Sequence, residues 1–154
     1  DRALRRNNLI VTGLPESADE SLLSVVGDLF TTVAPSVDIT AIVANRIGKA
    51  TENRPNRRVI VKFASEADRC LVLARKCNLK SAGDGRFQKV FIQEDLTPQQ
   101  RQNLTQIYRE ADAKNEKINL ALEKWIVAGR RTQPFLKKVP ARVIPTPDAT
   151  TTNQ

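Results

Sequence analysis

Apolar positions along the chain follow two periods. In "NLIVTGL" (8–14) they alternate tolerably for a strand, whereas Leu22, Val26, Leu29, Phe30 and Val33 recur as on one face of a helix. Ser17 and Glu20 supply a capping box ahead of that helix, and Pro35 ends it. Residues 39–47 are rich in β-formers and read as a second strand, the basic loop "GKATENRPNRR" (48–58) follows, and 59–63 reads as a third strand. Ser65 is the expected N-cap of a second helix whose inward face holds Ala67, Leu71 and Ala74, joined by Cys70 and Cys77. After the turn cluster "SAGDGR", residues 90–93 form a fourth strand. Thr97, Pro98 and Gln100 then open a long helix as N-cap, first helical residue and box partner, with Leu104, Ile107, Tyr108 and Ala111 as its stripe.

The order strand, helix, strand, strand, helix, strand, helix predicts an α+β fold. The expected arrangement is a ferredoxin-like βαββαβ sandwich (RRM-like), a four-stranded antiparallel sheet with two packed helices plus a C-terminal helix. Residues 1–6 are a basic lead-in and 7–115 the domain, helix included. Residues 116–139 hold the helix end and a short hairpin pairing 124–128 with 135–139. From 140 to 154 Pro and Thr dominate, and a disordered tail is expected.

Charge narrows the partners. The 154 residues carry 25 Lys and Arg against 17 Asp and Glu, a formal net charge of +8, so a polyanion is the first partner to consider. With two cysteines and no histidine, a structural zinc and a His-based general base are excluded. Two turns of helix would keep Cys70 and Cys77 apart, so they read as small buried apolar residues. There is no apolar run of bilayer length, no signal-like start and no phosphate-cradling glycine loop. Glu94 and Asp95 are the only adjacent carboxylates with the look of an active site, and they read first as leading into the following helix. No cofactor, no metal and no catalytic residue is expected. With a first residue other than Met, the chain is expected to be a fragment of something longer.

Two packed helices leave one face of such a sheet open, and its residues must carry the function. If Leu9, Val11, Val59, Val61 and Phe63 point inward, alternation sends Ile10, Thr12, Arg58, Ile60 and Lys62 outward. The stacking rings of the RRM motif are missing from "NRRVIVKF", where Arg58 and Ile60 stand in their positions. Each stacked base contributes about 1–3 kcal/mol, so binding shifts toward phosphate contacts, which carry little sequence information. On the fourth strand Phe91 either points outward beside Lys89 or lies under the C-terminal helix. Arg5, Arg6, Arg46, Lys49, Arg54, Arg57, Arg58 and Lys62 come from segments expected on one side of the fold, and guanidinium forks match phosphate oxygens. Arg75, at the end of the second helix, is either a contact or a complement to the helix dipole.

Taken together, "RRNNLIVTGLPES", "ANRIGK", "RRVIVKF", "LARK" and "IQEDLTPQQRQNL" resemble, over roughly 5–115, the RRM domain of the first-open-reading-frame protein of LINE-type, non-LTR retrotransposons. The resemblance implies a noncatalytic RNA-packaging and nucleic-acid chaperone protein that coats the element's transcript. It implies contact arginines at Arg6, in the loop at Arg54, Arg57 or Arg58, and at Arg75. The expected ligand is single-stranded RNA, with single-stranded DNA reachable by the same chemistry and no membrane involved. This chain is expected to be monomeric, its parent a coiled-coil oligomer, and its location cytoplasmic ribonucleoprotein particles, with the nucleus as the second compartment. The competing reading is a protein-interaction module on the same fold, favoured by apolar Ile10 and Ile60 on the open face.

Overall fold

The structure, a computed structural model, describes residues 2–19, 21–53, 55–81, 85–118 and 122–140. By internal contacts the chain divides into two compact units, Asp1–Thr97 and Pro98–Gln154. The long helix, expected to belong with the sheet, falls in the second unit.

The first unit is α+β. A short helix α1 (Arg2–Arg5) precedes β1 (Asn8–Thr12); α2 (Leu22–Val33), β2 (Val43–Ile47), β3 (Arg58–Lys62), α3 (Glu66–Arg75), a single turn α4 (Asn78–Ser81) and β4 (Phe91–Glu94) follow. The strands form one antiparallel sheet in the order β2-β3-β1-β4. Leu9 and Val11 of β1 and Val59 and Val61 of β3 are fully buried, and Ile92 of β4 nearly so. They share one core with Val26, Leu29, Phe30 and Val33 of α2 and Val72 of α3, so both helices lie against the same sheet face. Each such side chain taken from water contributes about 1.5–3 kcal/mol. Phe30 and Phe63 add a tilted ring contact, centroids 5.3 Å apart.

Several sequence expectations need correction. The second strand begins at Val43, not at 39, because the Asp38 carboxylate accepts hydrogen bonds from the Thr40 N–H (2.9 Å) and hydroxyl (2.6 Å). That local bonding gives the backbone an alternative to the sheet. Ser17 does not cap α2: Ser21 occupies the N-cap position and its side chain makes no capping bond, while Glu20 lies outside the described residues. Ser65 does cap α3, its Oγ accepting from the N–H groups of Ala67 and Asp68, an arrangement that contributes about 1 kcal/mol. The inward face of α3 is Val72, with Leu71 and Leu73 packed beside it. Ala67, Ala74 and both cysteines are exposed, and the cysteines are free thiols. The helix also stops before Cys77, and Asn78 donates to the Val33 carbonyl (3.0 Å), tying α4 to the end of α2.

The second unit is α5 (Pro98–Asn115) with a hairpin of β5 (Glu123–Arg130) and β6 (Gln133–Pro140), longer at both ends than expected. The helix starts at Pro98 as its sequence predicts, but only Leu104 and Ala111 of the anticipated stripe are buried, and Tyr108 is exposed. Asn115 ties helix to hairpin: its Oδ1 accepts from the Trp125 N–H (2.7 Å) and its Nδ2 donates to the Trp125 carbonyl (2.9 Å). The Lys114 ammonium lies 5.1 Å from the centroid of the Trp125 ring. The tail expected from 140 onward lies, beyond Pro140, outside the described residues.

Candidate nucleic-acid interface

Strand alternation presents a second sheet face, away from α2 and α3. The registers Asn45↔Ile60, Ile60↔Ile10 and Ile10↔Gln93 lay these four residues in one row across the sheet. The next row holds Ile47, Arg58, Thr12 and Phe91, from the pairs Ile47↔Arg58 and Thr12↔Phe91 on either side of Val11↔Val59. Phe91 is 59% exposed, so the outward reading of this ring is the correct one. Arg58 and Lys62 are exposed on the same face. The side chains of these two and of exposed Lys49 and Lys89, from the segments following β2 and preceding β4, have no hydrogen-bond or ion-pair partner among the described residues.

At the other end of this face, where Lys62 and Val43 stay exposed, part of the surface is covered. Asn8 and Asp95 are buried, the Asn8 amide donates to Asp95 Oδ2 (3.1 Å), and Arg5 forms an ion pair with Asp95 Oδ1 (2.9 Å). Arg5, expected on phosphate, therefore pins the lead-in helix to the end of the sheet. Arg6 is paired with Glu66 in the first turn of α3 (2.6 Å), which holds its guanidinium above its ordinary pKa.

Arg46 is a further correction. Its register partner Val59, and Ala44 two residues earlier on its own strand, place it on the helix-side face of the sheet. There its guanidinium donates to the carbonyls of Leu14 (3.0 Å), Pro15 (2.6 Å) and Arg57 (2.8 Å). The turn after β1 leaves those carbonyls without strand partners, and Arg46 satisfies them, binding that turn to the start of β3. Arg57 is likewise committed: Glu16 accepts from its backbone N–H (3.0 Å), its Nε (2.9 Å) and its Nη2 (2.5 Å). The Arg57 side-chain bonds, with the backbone bond second, lower the Glu16 carboxyl to about 2. Arg75 is exposed but ends α3, so it stands in the helix layer, on the other side of the sheet from Arg58. Arg54 lies outside the described residues.

Of the expected cluster, then, Lys49, Arg58, Lys62, Lys89 and Phe91 are exposed and without an ion pair among the described residues, while Arg5, Arg6, Arg46 and Arg57 are paired within the protein. Glu94 and Asp95 are likewise paired within the protein. Glu94 faces Arg69 of α3 at 3.3 Å, both side chains nearly buried. No group of three or more His, Cys, Asp or Glu able to hold a metal occurs among the described residues, and no described helix is long and apolar enough to cross a membrane.

Asn56 was not legible in the sequence. Its Oδ1 accepts from the Glu16 N–H (3.1 Å), and it lines a cleft of about 420 Å³ with Thr12, Gly13, Pro55 and Arg58. Only its place in a Pro-containing loop next to paired arginines could have flagged it. Exposed Val43 and Asn45 and half-buried Ile47 on the open face were also unassigned, since the second strand was read without its register. No protein-family model matches the chain, and no curated protein matches it.

Proposed function

We propose that this chain binds single-stranded nucleic acid, RNA first, through the open sheet face, chiefly by Lys and Arg contacts to phosphate with little reading of sequence. The strand order supports a ferredoxin-like, RRM-type βαββαβ arrangement for the first unit. The observation that carries the reading is the row containing Arg58 and Phe91: a guanidinium with no partner among the described residues and an exposed ring on the face that α2 and α3 leave open. Duplex bases hide their faces in the stack, whereas a single strand offers both phosphate and ring surfaces. The sequence blocks that resemble the first-open-reading-frame protein of LINE-type retrotransposons point to a noncatalytic role in packaging and chaperoning an element's RNA in ribonucleoprotein particles.

Binding of the chain to short single strands, titrated with salt, tests this. With four phosphates neutralised by Lys49, Arg58, Lys62 and Lys89, the log–log slope is expected near −3. A slope near zero, or binding to duplex as tight as to single strands, overturns it. A second reading, a protein-docking face, draws on Val43, 57% exposed on β2, with Ile10 and Ile60 beside it; a partner retained after nuclease treatment would favour it.

A further inference from the structure

We infer that the outer edge of β6 is a docking site for an extended acidic peptide, which adds to the hairpin as a third strand. The site lies wholly within the second unit.

Backbone parity identifies the open edge. In an antiparallel pair, opposite residues either exchange both bonds or both turn their groups away, and residues two apart behave alike. Asn115 marks the outward set on β5: by bonding both the N–H and the carbonyl of Trp125, it stands where a neighbouring strand would. Trp125 pairs with Lys138 and Val127 with Leu136, so Lys138 and Leu136 turn their groups outward on β6. The prolines agree. Pro134 and Pro140 share this parity, and a residue with no N–H fits a strand where that group would face away from the partner. Between the two prolines, the backbone N–H and carbonyl groups of Leu136 and Lys138 have no partner among the described residues.

Side chains decide what pairs there. Lys137, flanked by Phe135 and Val139, lies on the hairpin face opposite to the one bearing Trp125. Its ammonium has no partner among the described residues, and neither do the charged groups of Lys124 and Arg130 on the same face. Glu123 is the only carboxylate on the two strands; it lies on the other face and is bonded by Lys138 at 2.5 Å. A second copy adding antiparallel about Lys137 sets lysine against lysine, and like charges directly opposite are destabilising. A carboxylate in that place is favourable. Phe135 is 53% exposed and Val139 half-buried, so the matching segment reads apolar, any, acidic, any, apolar, a pattern unchanged by direction. A nucleic-acid strand meets the same cations but has no backbone amides to pair with Leu136 and Lys138 in strand register, whereas strand addition uses them.

The test titrates the full chain, isotopically labelled, with the capped peptide Val-Thr-Glu-Thr-Val and reads backbone amide exchange by NMR. The amides of Leu136 and Lys138 are expected to slow about ten-fold near saturation. Those of Phe135, Lys137 and Val139, already turned toward β5, are expected to keep their rates. A peptide with Lys in place of Glu is expected to bind about five-fold more weakly, and Lys137→Glu to reverse that order. Methylating the two Thr nitrogens, which face β6 in antiparallel addition, is expected to abolish binding with the protein itself unaltered. If Leu136 and Lys138 exchange as before, or if the Glu and Lys peptides bind alike, the proposal fails. It fails too if a single-stranded oligonucleotide slows these amides and the peptide does not, the cations then serving nucleic acid.

Discussion

Glu16 grips Arg57 by three hydrogen bonds, two to the guanidinium and one to the backbone N–H, whereas the next residue, Arg58, lies on the open sheet face, its guanidinium without a partner among the described residues. Adjacent arginines of the same loop end thus hold different positions: one secures the turn, the other is available to a ligand. Alternation along a strand separates them.

Substitution should divide the pair. Arg58→Gln is expected to lower single-strand affinity and the magnitude of the salt slope, with the melting temperature unchanged. Arg57→Gln is expected to lower the melting temperature and leave the slope as it was. Salt-titrated binding and thermal denaturation of both variants check this, and equal slope losses would show that Arg57 also meets phosphate.

The same carboxylate gives a pH signature. Glu16 is lowered from 4.5 to about 2 by its bonds from Arg57, so its folded-state pKa lies below its unfolded one. Its contribution to stability is present in full above pH 4.5 and is lost as pH falls from there through about 2. Melting temperatures measured from pH 6 down to pH 2 should show wild type and Glu16→Gln converging in that window, with wild type the more stable only at its upper end.

Arg69 and Glu94 form an ion pair with side chains only 11% and 8% exposed, joining α3 to β4. Removing one partner leaves the other charge buried. Arg69→Ala is therefore expected to cost about 3 kcal/mol in urea denaturation, at the lower end for such pairs, since the contact is long and Arg69 Nε already lacks a partner. Replacing both residues by apolar ones of similar volume should recover much of the loss.

Trp125 is the only tryptophan and reports on the second unit. Asn115→Ala would strip the partner from both its N–H and its carbonyl, a loss of about 1–2 kcal/mol. The expected result is a red-shifted Trp emission and an earlier Trp-detected unfolding midpoint than the wild-type chain gives.

Much of the first unit was legible in sequence because its signals are local. Strand period placed Leu9, Val11, Val59 and Val61 inward and Ile10, Thr12, Arg58 and Ile60 outward, and helical spacing found Val26, Leu29, Phe30 and Val33. Boundaries failed where side chains bonded locally, as at Asp38 and Thr40. The inward face of α3 failed because its apolar residues run together in "CLVLA", where period alone does not choose Val72 over Cys70 or Ala74.

By itself, the sequence determined the number of positive charges, the alternation that leaves one sheet face open, and the absence of aromatic rings at the usual places on its central strands. Which of those charges remain available was decided only by tertiary structure. Arg57 meets Glu16 across 41 positions and Arg46 meets Leu14 across 32. A guanidinium is spent on whatever acceptor the fold brings within about 3 Å, and that proximity is a property of the folded chain and of no local stretch of it.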